Sequence, residues 1–189
     1  MAKHIIFSDA ISCSKIEDFE LDNWIQTTLD QSKKKDEGVF ISNVGGYQTP
    51  TVLDEKITKI LGKYIPQAMK DFTSTNFKYR IMNLWINENY KYSHNTLHFH
   101  GMSLFSGVYY YKVPKNSGDL VFQRNDATAF LDYGNILNSK DYDTTYKIEP
   151  EPGMLVIFPA TYLHAVSQSM SDKPRVSVAF NFNISESIK

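Results

Sequence analysis

Five histidines stand in the 189-residue sequence, at positions 4, 94, 98, 100 and 164, and three of them are set where they could do chemistry. His98-Phe99-His100 lies in a run of strand-forming residues, where side chains alternate, so both imidazoles share one face. His164 stands far downstream in Phe158-Pro-Ala-Thr-Tyr-Leu-His164, directly after another strand pattern. Imidazole is the commonest protein ligand for iron, zinc, copper and nickel. Two ligands from one strand and a third from a distant strand can converge on one ion at a barrel mouth. A His-x-His pair also arises by chance, and a single distant histidine also serves as a hydrogen-bonded core residue. The residues that follow weigh against that reading. Arg175-Val176-Ser177 opens the last strong strand, in which Arg175, Ser177, Ala179, Asn181 and Asn183 share one face. Val176, Val178, Phe180 and Phe182 share the other. The apolar face suits packing against helices, and the polar face suits the lining of a solvated pocket. There an arginine can grip a ligand carboxylate through two parallel charge-assisted bonds. Taken singly, Arg175 could equally pair with a structural carboxylate. His94 and His4 read as surface residues.

These side chains need a scaffold, and the sequence changes grammar to supply one. The first third is partly helical. After the short apolar segment Ile5-Ile6-Phe7, Ser14-Lys-Ile-Glu17 reads as a capping box, with Ile16, Phe19, Trp24, Ile25 and Leu29 on one helical face. The run Lys33-Lys34-Lys35-Asp36-Glu37 and Gly38 end that helix, its cations complementing the helix dipole. Gly45-Gly46 marks a turn or a close backbone approach. Thr49-Pro50 predicts a second N-cap, with Ile57, Ile60, Leu61, Tyr64 and Ile65 in helical period and Met69 and Phe72 extending it past a kink at Pro66. From Lys78 onward, short Tyr-, Val-, Ile- and Phe-rich runs alternate with turn residues. Strands are expected near 79–87, 96–100, 104–113, 119–123, 144–148, 153–158, 162–167 and 174–183. The polar stretch 125–143 reads as a long loop or lid, and it, Trp85 and Asn87 are candidates for shaping a substrate entrance, although Trp85 suits a core position better. Helices followed by many short strands predict a mainly β fold with N-terminal helices, a jelly-roll core whose outer face the helices cover. The chain is read as a single domain over 1–189, with a helical support region at 1–77 and a jelly-roll core at 78–184.

Composition narrows the function classes. Twenty basic residues against twenty-one acidic ones give no electrostatic footprint for nucleic acid or anionic lipid. The single cysteine, Cys13, excludes an internal disulfide framework and any Cys-rich zinc site. No apolar run is long enough to span a bilayer, and the N-terminus lacks a signal core, so a soluble cytoplasmic protein is expected. The 14% aromatic share would serve a dimer interface or a well-filled barrel, which leaves the oligomeric state open with a homodimer among the options.

The order of these blocks resembles the non-haem Fe(II)/2-oxoglutarate-dependent oxygenases, especially the small ones carried by phages and marine bacteria. The resembling blocks are His98-Phe-His100, Ser106-Gly-Val-Tyr-Tyr110, Ser117-Gly-Asp-Leu-Val-Phe122, Gly153-Met-Leu-Val-Ile-Phe-Pro159, His164-Ala-Val and Arg175-Val-Ser177, within roughly residues 85 to 183. The resemblance implies a double-stranded β-helix core, of jelly-roll or cupin-like form, and a hydroxylase that couples oxidative decarboxylation of 2-oxoglutarate to oxidation of a substrate by O2. By the same resemblance His98 and His164 match the iron-ligating histidines. Arg175, Ser177 and Tyr110 match the residues around the far carboxylate of 2-oxoglutarate. A phage-encoded member would work in the host cytoplasm.

One position departs from the family pattern, which is His-x-Asp where this chain has His98-x-His100. Either His100 is the third iron ligand, the choice its local spacing favours, or a carboxylate such as Asp119 or Asp126 completes the set. Three histidines also suit a cupin-like metalloenzyme holding iron, nickel or zinc without 2-oxoglutarate, which the Arg175–Ser177 pair opposes. A non-enzymatic jelly-roll binding or virion protein is the third reading. Small molecules and peptidyl groups both fit as substrates, and the strand pattern around Tyr110 leans towards a prolyl-hydroxylase-like role.

Overall fold

The computed structural model describes residues 9–74, 76–125 and 143–188. Strand β1 (Ser12–Lys15) precedes helix α1 (Phe19–Lys34), and two short strands, β2 (Asn43–Val44) and β3 (Tyr47–Gln48), flank the Gly45-Gly46 turn and join different sheets. Helices α2 (Glu55–Leu61) and α3 (Ile65–Ala68) follow, with a 3-10 turn at Met69–Asp71. The β region then runs as β4 (Asn76–Asn89), β5 (His94–His98), β6 (Phe105–Lys112), β7 (Leu120–Gln123), β8 (Thr145–Ile148), β9 (Met154–Pro159), β10 (Leu163–Val166) and β11 (Arg175–Ile188). All eight strands expected beyond Lys78 are present, with ends displaced by at most five residues. The N-terminal region also adds β1, β2 and β3 to the sheet edges, which its helical reading did not foresee.

Two antiparallel sheets make the double-stranded β-helix core. One runs β1-β9-β6-β11-β4-β3 and the other β2-β5-β10-β7-β8. The strand period of two gives the larger sheet two different faces. Val176, Val178, Phe180 and Phe182 of β11 join Leu155 and Ile157 of β9 against helix residues such as Leu21, Ile25, Ile57 and Ile60. The alternate residues Val156 and Phe158 point between the sheets and pack with Tyr110, Leu120, Phe122 and Ile148. Helices therefore cover the outer face of the larger sheet, as expected. Gly107 fits this packing because the Phe180 ring occupies its side-chain space: a Cβ there would lie 2.3 Å from that ring.

The helix boundaries correct three expectations. The Ser14–Glu17 capping box does not form, because Ser14 belongs to β1 and pairs with Leu155 on the edge of β9. Asp18 caps α1 instead, its carboxylate accepting from the amides of Glu20 at 2.9 Å and Leu21 at 3.0 Å. Phe19 accordingly lies outside the buried face, 80% exposed. Thr49 is no N-cap; its hydroxyl accepts from the Ile86 amide at 3.0 Å and fastens the chain to β4. Asp54 caps α2 through the Ile57 amide at 2.8 Å. Pro66 does not kink a continuous helix; α2 has already ended, and the proline sits in the first turn of α3, where its missing N–H costs nothing.

Asp18 also accepts from the Tyr64 hydroxyl at 2.6 Å and meets the Lys63 ammonium at 3.4 Å. Burial alone would raise its pKa, but these donors outweigh it and hold the carboxyl below its ordinary value. Asp18→Ala is expected to lower stability at neutral pH by about 1–2 kcal/mol, the usual worth of such a cap. Because the folded-state pKa is depressed, the difference between wild type and variant should be full above the ordinary carboxylate range and shrink as pH falls through it. Urea denaturation of both proteins across that range measures it.

Candidate active site

His98 ends β5 and pairs directly with His164 on β10. The ring of His98 meets the Thr96 carbonyl through Nδ1 at 2.7 Å, and His164 meets the Tyr162 carbonyl through Nδ1 at 2.9 Å. A carbonyl only accepts, so each Nδ1 carries the proton and each Nε2 keeps its lone pair for another partner. His100 is not on the strand, contrary to the expected 96–100 range. It lies in the following turn, held by its own amide donating to the Ala160 carbonyl at 2.8 Å. The turn nonetheless returns its ring to the other two, with centroids 5.0 Å from His98 and 5.2 Å from His164. His98 and His164 are 4.3 Å apart.

One ligand atom from each of the three rings lies within 4.8 Å of the others. Among the described residues no other group of three or more histidine, cysteine or carboxylate side chains meets in this way. Burial pushes His164 down to about 3 and His100 to about 4, and the neighbouring imidazoles add to the effect. Both rings are therefore neutral at physiological pH, the state a metal ligand must be in. Trp85 packs on His100 at 5.7 Å and Phe158 on His164 at 4.9 Å, which restricts the rings. Trp85 thus lines the cavity rather than the core. Three clustered imidazole nitrogen donors fit a divalent iron, and equally nickel or zinc.

The same cavity contains Tyr110, Arg175 and Ser177, so all six candidate residues line one space. Its free volume is about 50 Å³. Arg175 is 1% exposed. Its guanidinium donates to the Gly118 carbonyl at 3.1 Å and the Asn89 side-chain oxygen at 2.9 Å, while Nε has no partner. It stands 5.9 Å from the centre of the Tyr110 ring. Burial pushes the Tyr110 hydroxyl up to about 12, against the pull of Arg175. Among the described residues no carboxylate hydrogen-bonds to Arg175, although the Asp119 charge acts on it through space, so there the structure does not form the structural ion pair weighed for this residue.

Asp119 does not face the histidines; it lines a separate surface cleft with Asn116, Ser117 and Ser167. Asp126 lies outside the described residues, as do His4, the Ile5–Phe7 segment and nearly all of the 125–143 stretch. Asn87 lines the cavity as expected, and His94 sits away from it on β5, paired with Val44. Asn181, read from the alternation of the last strand as pocket-lining, lines the cavity, whereas the sequence reading missed Asn89, Asn95 and Ser106. The Ser106 hydroxyl donates to Asn181 at 2.7 Å, and both residues line the cavity. A signal was present: Asn83, Trp85, Asn87 and Asn89 alternate with Leu84 and Ile86 along β4, which marks a polar face.

The family model described as "Putative 2OG-Fe(II) oxygenase" matches residues 83–181. No curated protein sequence matches the chain. Solved structures share its fold at low identity. The viral collagen prolyl hydroxylase of Paramecium Bursaria Chlorella virus-1, in complex with 2OG, is 17% identical with a TM-score of 0.57, over 90% of this chain and 95% of that one. A Pseudomonas putida prolyl-4-hydroxylase is 14% identical with a TM-score of 0.60, over 93% and 92%. HygX of Streptomyces hygroscopicus, with nickel and 2-oxoglutarate bound, is 10% identical with a TM-score of 0.65, over 92% and 82%.

Calorimetric titration of the metal-free protein with Ni(II) tests the histidine cluster. His98→Ala combined with His164→Ala is expected to weaken binding by more than about 100-fold, beyond what loss of an outer-shell partner costs. Unchanged affinity would mean that these rings are not the ligands.

Proposed function

The chain belongs to the 2OG-Fe(II) oxygenase family, and from that premise we propose that it is a hydroxylase of a small-molecule or peptidyl substrate, with 2-oxoglutarate as cosubstrate. The observation that carries the proposal is a single cavity with three clustered imidazoles in one part and, in another, a buried guanidinium that donates to no carboxylate among the described residues. His98, His100 and His164 would hold Fe(II) through their free ring nitrogens. Arg175 would take the far carboxylate of 2-oxoglutarate, its unpartnered Nε being the donor left to give. Tyr110 and Ser177 flank that position. When bound, iron and 2-oxoglutarate together supply the oxygen-activating chemistry that side chains lack. The protein's part is orientation and exclusion of water, and Val108, Leu120 and Phe158 give the cavity apolar walls.

A second reading, a cupin-like three-histidine metalloenzyme without 2-oxoglutarate, is favoured by His100 standing where the family pattern has a carboxylate. An anaerobic titration separates the two. Fe(II) followed by 2-oxoglutarate is expected to produce a weak visible metal-to-ligand band that needs both additions and is reduced at least several-fold, at fixed subsaturating cosubstrate, in Arg175→Ala. Metal binding without such a band would favour the cupin-like reading.

The third ligand has its own test. His100→Ala is expected to weaken Fe(II) binding, and His100→Asp to retain both metal and band. Unaltered metal affinity in His100→Ala would assign that coordination position to another group.

A further inference from the structure

Arg175 is held by neutral groups, and the way its main partner is held is directional. Asn89, 1% exposed, stands directly across from Arg175 in the β4–β11 ladder. An asparagine amide has an accepting and a donating end, and here the accepting end faces the guanidinium at 2.9 Å. The donating end is committed elsewhere, to the side-chain oxygens of Asn43 at 3.1 Å and Asn95 at 3.3 Å. Those two amides are themselves oriented. The Asn43 side-chain nitrogen donates to the Tyr47 carbonyl at 3.3 Å, and that of Asn95 to the Ser42 hydroxyl at 3.1 Å. A backbone carbonyl only accepts, so the Tyr47 contact fixes the sense of the chain from β3 through Asn43 and Asn89 to Arg175.

The β2–β3 turn is pressed onto this relay. A Cβ at Gly46 would lie 2.5 Å from the Asn43 side-chain oxygen and 2.8 Å from the Glu88 carbonyl, so only glycine lets the turn close over Asn43. Asn95 sits on the same strand as His98 and lines the same cavity. A buried arginine is ordinarily neutralised by a carboxylate. Here, among the described residues, an amide and a backbone carbonyl orient it, and the Asp119 carboxylate acts on it without a hydrogen bond.

Building on the proposed function, we propose that Asn89, oriented by Asn43 and Asn95, is a positioning residue that presents Arg175, without a hydrogen-bonded carboxylate, to the far carboxylate of a dicarboxylate cosubstrate. The nearly isosteric Asn89→Asp places a permanent counter-charge beside the guanidinium and sets a carboxylate oxygen against the oxygens of Asn43 and Asn95. It therefore competes directly with the ligand.

The test compares two 2-oxo acids by calorimetry on the Ni(II)-loaded full chain: 2-oxoglutarate, and 2-oxobutyrate, which has the same chelating end without a far carboxylate. Asn89→Asp is expected to weaken 2-oxoglutarate at least tenfold and to leave 2-oxobutyrate within about threefold of wild type, so the preference for the dicarboxylate collapses. Asn43→Ala, which does not touch Arg175, should shift the same preference several-fold in the same direction and carries the test if the aspartate variant does not fold. Equal weakening of both acids would assign the network a purely structural role, and an unchanged preference in both variants would overturn the inference. A wild-type protein that binds neither acid would overturn the cosubstrate reading itself, and this inference with it.

Discussion

Strand β11 has to serve two interiors at once. It lies between β6 and β4 in the larger sheet, so neither edge is free and both faces are covered. Its even-numbered residues, Val176 to Phe182, are fully engaged by the helices. That leaves the odd-numbered face, with Arg175, Ser177 and Asn181, turned between the sheets, where an unpaired polar group costs on the order of 1–3 kcal/mol. The sheets answer with the cavity. Apolar packing between them gathers around Tyr110, Phe122 and Phe158, and polar residues of β4 and β6 lie beside those of β11 on the same sheet and line the remaining space. Asn89 pairs with Arg175, Asn87 with Ser177 and Asn83 with Asn181, so each polar residue of the central strand meets another. The cavity is therefore a consequence of how one strand divides its side chains.

This division was legible because it needs only the period of two. The alternation along β11, β6 and β9 assigns Val176, Tyr109 and Leu155 to the helices and Arg175, Tyr110 and Val156 to the sheet interior, and the structure follows it. The histidines were legible for a partly different reason. Between His164–His98 and Val166–Asn95 the ladder shifts, with three steps along β5 opposing two along β10. That bulge brings Asn95 and His98 to the same cavity although an odd spacing separates them, which no alternation rule would give. His100 then arrives from a turn anchored to Ala160. The convergence of all three was read correctly from a strand geometry that does not extend that far.

What the sequence hid were competitions between equally good local partners. Ser14 and Asp18 both suit an N-cap, and the edge of β9 decides between them by taking Ser14 into a strand. Thr49 before Pro50 suits one as well, until the Ile86 amide claims its hydroxyl. The asparagines of β4 could be seen to share a face, but their partners Asn43 and Asn95 come from other elements, and register alone brings them together.

The histidine departure and the asparagine relay bear on the same electrostatic question. A site with two histidines and a carboxylate cancels one charge of a divalent ion before any ligand arrives; three imidazoles cancel none. Among the described residues Arg175 likewise donates only to a carbonyl and an amide oxygen. If iron is held by the three rings, the protein leaves positive charge at two places in one cavity, and neither is compensated by its own bonded partners. Uncompensated charge in a low-dielectric interior costs several kcal/mol. A dianion that chelates the metal at one end and meets the guanidinium at the other relieves both together. The cost is then paid back on binding, and it discriminates. A monoanion of the same chelating form relieves only the metal, and a neutral molecule relieves neither. Selectivity for a dicarboxylate would thus arise from charges the fold declines to pair, more than from the shape of the pocket.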